Sequence, residues 1–168
     1  MVLLQLLGCQ SDLTPSGEDE RPVVQTGIIG HQVGQIAPDF TLESSINGFH
    51  TLSSELANHD AVVFYFTMWC PTCDEHMGHM RASYISQYPE VQFFLVDYVN
   101  ATVVDARSAQ LSSGYGDMRV LADTNRTVWG LYDGDMGITV VVDSNGIVQM
   151  NQDYRDGSKL GEVLESLP

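Results

Sequence analysis

Apolar residues fall into short runs separated by polar turns, and the length and period of each run predict its structure. Residues 61–67 form a continuous apolar run that ends at Thr67, and residues 91–96 are apolar except for Gln92. Both segments are rich in β-branched and aromatic side chains, which is typical of buried central strands. Phe40 and Leu42 alternate with polar residues, and the Asn-Gly turn that follows predicts pairing with residues 50–52. We therefore expect the folded part to begin with a hairpin, followed along the chain by two central strands.

The helical spacing of apolar residues, together with the residues that stop helices, predicts five helices. They cover residues 53–56, 73–88, 103–112, 124–132 and 158–167. A second hairpin is expected where Asp143-Ser144-Asn145-Gly146 separates strands at 138–142 and 147–150. This order of elements predicts an α/β fold in which a mixed central sheet, parallel at its centre, carries helices on both faces.

The first 32 residues differ in composition from the rest. Residues 1–9 are apolar, whereas residues 10–32 are polar and acidic with several Pro and Gly, which is typical of a flexible tether. Leu6-Leu7-Gly8-Cys9 resembles a bacterial lipobox, in which the cysteine is acylated; an ordinary apolar terminus is the alternative. We therefore expect a lipobox-like segment and tether at 1–32 and one folded domain at 33–168. Lipidation of Cys9 would place the protein in the bacterial cell envelope, on the periplasmic side.

The charge of the chain excludes several partners. It carries 7 Lys and Arg against 22 Asp and Glu, a formal net charge of -15 over 168 residues. Such an acidic surface lacks the basic patch that nucleic acid or an anionic membrane surface requires. No apolar run in the sequence is long enough to span a bilayer. We expect no nucleic-acid partner, and membrane contact only through a lipid on Cys9.

The most specific chemical signal is Trp69-Cys70-Pro71-Thr72-Cys73, which directly follows the strand at 61–67. Two cysteines at this spacing can close a disulfide in the first turn of a helix, where the helix dipole favours a thiolate on the first. A strand that runs into C-x-x-C and then a helix is typical of a redox motif. We expect Cys70 to attack, Cys73 to resolve, and Trp69 to cap the site, with Pro71 and Thr72 beside it.

Three other segments support a family resemblance. They are Val33-Gly34-x-x-Ala37-Pro38-Asp39-Phe40-x-Leu42, Leu121 to Trp129, and Val140 to Val148. With the cysteine motif they resemble TlpA/ResA-type thiol–disulfide oxidoreductases of the redoxin and AhpC/TSA superfamily. The resemblance implies a thioredoxin-like fold with an extra N-terminal β-hairpin and a helical insertion. It also implies an enzyme without a cofactor, acting on thiol- or disulfide-bearing proteins and supplied by an electron-donor partner.

Several positions depart from the pattern of this family. A proline that the family carries in the cis form beside the disulfide is replaced by Gly137, or by Ile138 with a one-residue slip. His76 and Gly78 stand where the helix of the family has a glutamate and a proline, and Phe64 stands where thioredoxins have a buried acid. We still expect Gly137 and Ile138 to border the disulfide.

Two other functions remain open from the sequence. Cys70, Cys73, His76 and Met80 could bind Cu(I), because thiolate, imidazole and thioether are soft donors and His76 and Met80 share a helix face; alternatively, the methionines of this helix are core residues. A peroxiredoxin alignment would set Cys73 as the peroxidatic cysteine. It puts Phe66 at the position of that family's proline and Cys70 at that of its threonine, so the residues that handle the peroxide proton are missing.

Overall fold

The apolar segments at 61–67 and 91–96 form neighbouring strands at the centre of a sheet in the computed structural model, which describes residues 25–167. Within these residues the strands are β1 Thr41–Ser44, β2 Phe49–Thr51, β3 Ala61–Thr67, β4 Val91–Asp97, β5 Arg119–Ala122, β6 Ile138–Asp143 and β7 Val148–Asp153. The helices are α1 Leu52–Leu56, α2 Pro71–Met80, α3 Val103–Ser112, α4 Thr127–Leu131 and α5 Ser158–Glu165, and α2 continues into a π-helical turn at Arg81–Ile85.

The sheet has the strand order β2-β1-β5-β4-β3-β6-β7. Strands β3, β4 and β5 are parallel to one another, and β6 pairs with β3 in the antiparallel direction. All seven residues of β3 are buried, as expected for a strand covered on both faces. The register pairs Thr67 with Asp97, so the loop that follows β3 lies beside the loop that follows β4.

Side chains that alternate along β3 enter two separate cores. Val63 and Tyr65 pack with buried residues of α2 and α5 on one face of the sheet. Phe64 and Phe66 pack with α1, α4 and the N-terminal hairpin on the other. The predicted mixed sheet with helices on both faces is therefore confirmed, and so is the hairpin of β1 and β2.

Apart from shifts of a few residues at the ends of other elements, local structure differs from the sequence-based expectation at three places. Strand β5 was not predicted, although its pairing with β4 and β1 completes the sheet. Helix α2 begins at Pro71 rather than 73 and ends in the π-helical turn. Helix α4 is shorter than the predicted 124–132, because Asp123 accepts hydrogen bonds from the N–H groups of Thr127 and Trp129 and so starts the helix later.

The segment that leads into the sheet contacts strand β7 and the turn before it. Gly34 donates its N–H to the carbonyl of Val148 at 2.8 Å, and Ile36 forms isolated bridges with Ile29 and Ile147. The division of the chain at residue 33 stays a prediction, and Cys9 lies outside the described residues. Between residues 25 and 167, every helix is too short or too polar to cross a bilayer.

Candidate active site

The cysteine motif lies on the turn that carries the chain from β3 into α2. Trp69 adopts a left-handed backbone conformation with φ of 60°, and its N–H donates to Thr67 Oγ1 at 3.1 Å. Cys70 then forms the N-cap of α2, where its Sγ accepts a hydrogen bond from the N–H of Cys73 at 3.1 Å. Pro71 occupies the first helical position, where a missing N–H leaves no carbonyl unpaired. The motif therefore builds a tight helix start around the first sulfur.

The two cysteines are joined by a disulfide but differ in their surroundings. Their Cα atoms lie 5.0 Å apart. Cys73 is completely buried in the core beneath α2, whereas Cys70 is half-buried and Pro71 and Thr72 are exposed beside it. Of the two cysteines, only Cys70 therefore has exposed surface, and a cysteine must be accessible to exchange disulfides with another molecule.

The indole of Trp69 is held in place by a buried carboxylate. Trp69 Nε1 donates to Asp97 Oδ2 at 2.7 Å, and Asp97 has no exposed surface. The carboxylate also accepts from the side chain of Asn100 at 2.6 Å and from the N–H groups of Val99 and Asn100. Asp97 was not among the predicted site residues, although an acid that ends a buried strand next to the motif strand is a usable signal in the sequence.

A groove of about 370 Å³ opens beside the outer sulfur. It is lined by Trp69, Cys70, Pro71, Asp74, Met77 and Ser113. The hydroxyl of the buried Tyr115 lies 2.7 Å from Asp74 Oδ1 and 2.9 Å from the carbonyl oxygen of Asp74. Burial and this hydrogen bond to Asp74 raise the pKa of Tyr115 to about 12, so its hydroxyl keeps a proton to donate.

Gly137, at the position of the family's proline, is bonded tightly into the sheet. It has a φ of +88°, and no cis peptide bond occurs among the described residues. Its N–H donates to the carbonyl of Phe66 at 3.1 Å, and its own carbonyl accepts from Tyr154 N–H at 2.9 Å. Met136, which was not among the predicted site residues, is partly buried and packs against the same hydrophobic core as Trp69 and Cys70. Ile138 instead packs on the core across the sheet.

The proposed copper ligands of α2 have other contacts in the structure. His76 Nδ1 lies 3.1 Å from the hydroxyl of Tyr65, and burial raises the pKa of that hydroxyl above its ordinary value. The imidazole also packs on the ring of Tyr154, 4.9 Å between ring centres. Met80 has no exposed surface and belongs to the core of Met77. In residues 25–167, no three side chains of His, Cys, Asp or Glu are placed together to hold a metal ion.

Strand β3, the cysteine turn and helix α2 define a thioredoxin-like protein whose cysteine pair lies at the start of a helix. The chain belongs to the AhpC/TSA family, whose match covers residues 33–151. This confirms the redoxin resemblance of the sequence. No sequence among curated proteins matches the chain significantly.

Solved structures share the fold at low identity. A candidate protein disulfide isomerase from Bacteroides thetaiotaomicron superposes with a TM-score of 0.67 at 17% identity, over 80% of this chain and 86% of its own. Peroxidoxin BcpB from Mycobacterium tuberculosis superposes with a TM-score of 0.64 at 19% identity, over 80% of this chain and 95% of its own. The exposed lipoprotein thioredoxin Etrx1 from Streptococcus pneumoniae superposes with a TM-score of 0.65 at 15% identity, over 77% of this chain and 100% of its own. These similarities show the thioredoxin-like fold.

Proposed function

We propose that this protein is a thiol–disulfide oxidoreductase that works through Cys70 and Cys73. The observation that carries the proposal is the contrast between the two sulfurs. Cys70 lines an open groove at the N-terminus of α2, whereas Cys73 is fully buried directly behind it. One sulfur is thus placed to meet a partner, and the other can reach only the first sulfur.

In the reducing direction, the thiolate of Cys70 attacks one sulfur of a partner disulfide. A bond forms between Cys70 and that sulfur, and the second partner sulfur leaves as a thiolate that takes up a proton. Cys73 then loses its proton and attacks Cys70, which restores the disulfide and releases the partner as a dithiol. The N–H of Cys73 and the dipole of α2 favour the thiolate on Cys70. Oxidation of a partner dithiol is the same sequence in reverse.

Trapping mixed disulfides tests the roles of the two cysteines. In Cys73→Ser, Cys70 can attack but nothing resolves the adduct, so disulfide-linked partners accumulate on non-reducing gels. In Cys70→Ser, the remaining thiol has no exposed surface and few adducts form. The matched pair differs from wild type by one sulfur each, which controls for the loss of the disulfide itself.

Two outcomes would contradict the proposal. Adducts mainly in Cys70→Ser would make Cys73 the reactive thiol, as in the peroxiredoxin alignment. Adducts in neither variant, with a disulfide that dithiothreitol fails to reduce, would make the pair a structural crosslink.

The proposal places the protein in the bacterial cell envelope, on the periplasmic side and anchored by a lipid on Cys9. Support comes from the lipobox-like Leu6-Leu7-Gly8-Cys9, and from the fold shared with a pneumococcal lipoprotein thioredoxin. Its substrates would be extracytoplasmic proteins with thiols or disulfides, and an electron-donor partner would reduce it. Expressed behind a complete signal peptide, the protein should fractionate with membranes, and Cys9→Ser should not. Equal solubility of the protein and its Cys9→Ser variant would contradict the lipid anchor.

A further inference from the structure

The groove beside Cys70 carries a negative charge at a fixed position. Asp74 lines the groove, and the hydroxyl of Tyr115 holds its Oδ1 at 2.7 Å. Tyr115 is itself buried, so its hydroxyl is a rigid anchor. An exposed carboxylate ordinarily samples several rotamers, and this contact keeps it on the groove wall.

No cation in residues 25–167 forms an ion pair with Asp74. Arg81 is the guanidinium that contacts Tyr115, with 4.8 Å from its Cζ to the ring centre. It pairs with Asp117 at 3.2 Å instead. The carboxylate of Asp74 is therefore available to a charge brought by a partner.

Asp74 also has an ordinary role in the helix, because an acid in the first turn of α2 is stabilised by the helix dipole. That role needs neither a place in the groove nor the contact with Tyr115. Glu75, the next residue, is exposed as well and is not part of the groove lining. Glu75 is thus the matched control for a general effect of acidic charge near α2.

We infer that Asp74 selects partners that carry a lysine or arginine beside the cysteine that reacts with Cys70. This inference rests on the proposed function and names the chemistry of its substrates. The walls formed by Trp69, Pro71 and Met77 suit the aliphatic stem of such a side chain, while its charged end meets the carboxylate. Tyr115 acts as a positioning residue for Asp74.

Symmetric disulfides of a short capped peptide test the inference. Each peptide has one cysteine with Lys, Ala or Glu beside it. The reduced protein attacks the peptide disulfide through Cys70 and then closes its own disulfide, so that two peptide thiols are released and the protein pair is oxidised. Dividing each rate by the rate of the same peptide with dithiothreitol removes differences in intrinsic reactivity.

At low salt we expect the Lys peptide to react about two- to fivefold faster than the Ala peptide, the range for an exposed ion pair. The ratio of Lys to Glu rates should be larger, and 1 M salt should reduce it because screening shortens the range of the charge. In Asp74→Asn the Lys-to-Glu ratio should fall towards one. In Tyr115→Phe it should fall part of the way, and in Glu75→Gln it should stay at the wild-type value.

A Lys-to-Glu ratio that is equal in wild type and Asp74→Asn would overturn the inference while leaving the proposed function intact. An equal loss in Glu75→Gln would also overturn it, since the effect would then belong to net charge. No exchange with any peptide, the Ala peptide included, would overturn the proposed function and this inference with it.

Discussion

Trp69 and Asp97 are joined by a hydrogen bond of 2.7 Å that links the turn before the first cysteine to the end of the neighbouring strand. The indole is half-buried and lines the groove, whereas the carboxylate is fully buried. Because β3 and β4 are parallel and in register at Thr67 and Asp97, this contact forms at the edge of the sheet where the cysteines lie. The orientation of the groove wall therefore depends on a residue 27 positions beyond Cys70.

Replacing this carboxylate should cost stability. Asp97→Ala removes the acceptor of four donors from Trp69, Val99 and Asn100, so we expect a loss of about 2–4 kcal/mol in the free energy of unfolding. Urea denaturation measures this. Asn100→Ala, which keeps the carboxylate and removes one donor side chain, should cost less. A loss below about 0.5 kcal/mol for Asp97→Ala would show that water replaces these contacts.

Restoring the family's proline at position 137 should destabilise this protein. Gly137 has a φ of +88°, whereas proline fixes φ near −65° and has no N–H to donate to Phe66. We expect Gly137→Pro to lower the free energy of unfolding by at least about 2 kcal/mol, from the strain and the lost hydrogen bond. Gly137→Ala keeps the N–H and should cost less than Gly137→Pro: about 1–2 kcal/mol for the left-handed backbone, plus the shift of the Asp153 carboxylate, whose Oδ1 would lie 2.6 Å from the new Cβ. Equal unfolding midpoints for wild type and Gly137→Pro would contradict this.

Alkaline pH should weaken the fold through its buried tyrosines. Burial raises the pKa of Tyr132, whose hydroxyl donates to the carbonyl of Pro38 at 2.6 Å. Above pH 10 this group ionises in the unfolded chain but stays neutral in the folded protein. The free energy of unfolding is therefore unaffected by this group below pH 10 and falls as the pH rises beyond it. Tyr115, with a pKa of about 12, contributes in the same direction between pH 10 and 12.

The contribution of Tyr132 is isolated by comparing Tyr132→Phe with wild type in urea at several pH values from 9 upwards. The variant should be less stable at pH 9, because it loses the bond to Pro38, but its stability should fall less steeply with pH. If the stabilities of the variant and wild type fell in parallel with pH, other groups would cause the loss of stability at alkaline pH.

Variants of the buried Met80 distinguish a copper ligand from a core residue. Met80→Ala should cost about 2–5 kcal/mol in unfolding free energy, since it opens a cavity in a fully buried position. Met80→Leu keeps the volume and removes the thioether. Titration of the reduced protein with Cu(I) against a competing chelator should then give the same affinity for Met80→Leu and wild type. A tenfold weaker affinity in Met80→Leu would make Met80 a ligand.

The sequence predicts the features that depend on local pattern. The apolar runs of β3 and β4 and the spacing of Cys70 and Cys73 each indicate their structure within a few residues, and the fold follows from their order. Strand β5 was not predicted because it has only four residues, and both its pairing with β4 and β1 and the burial of Val120 and Leu121 depend on the rest of the fold. Short strands of this kind carry too little periodicity to be recognised alone.

The surroundings of the cysteines depend on contacts between distant parts of the chain. Asp97 at the end of β4 and Tyr115 before β5 each reach the site through a contact with a residue distant in the sequence. The end of a buried strand marks Asp97 in the sequence, whereas no local pattern marks Tyr115. The departure at Gly137 was visible in the sequence. Its hydrogen bonds to Phe66 and Tyr154 became visible only with the fold.

The N–H of Cys73 already points at the sulfur of Cys70 while the disulfide is closed. The same amide can stabilise the thiolate once the disulfide opens, because the donor and the helix start that carries it need no rearrangement. Oxidised and reduced protein should then share one backbone at this helix start, so that the proposed exchange of S–S bonds and its proton transfers would need no rearrangement of α2. A helix start that is organised in advance for both redox states would keep the cost of rearranging the backbone out of the redox cycle that we propose.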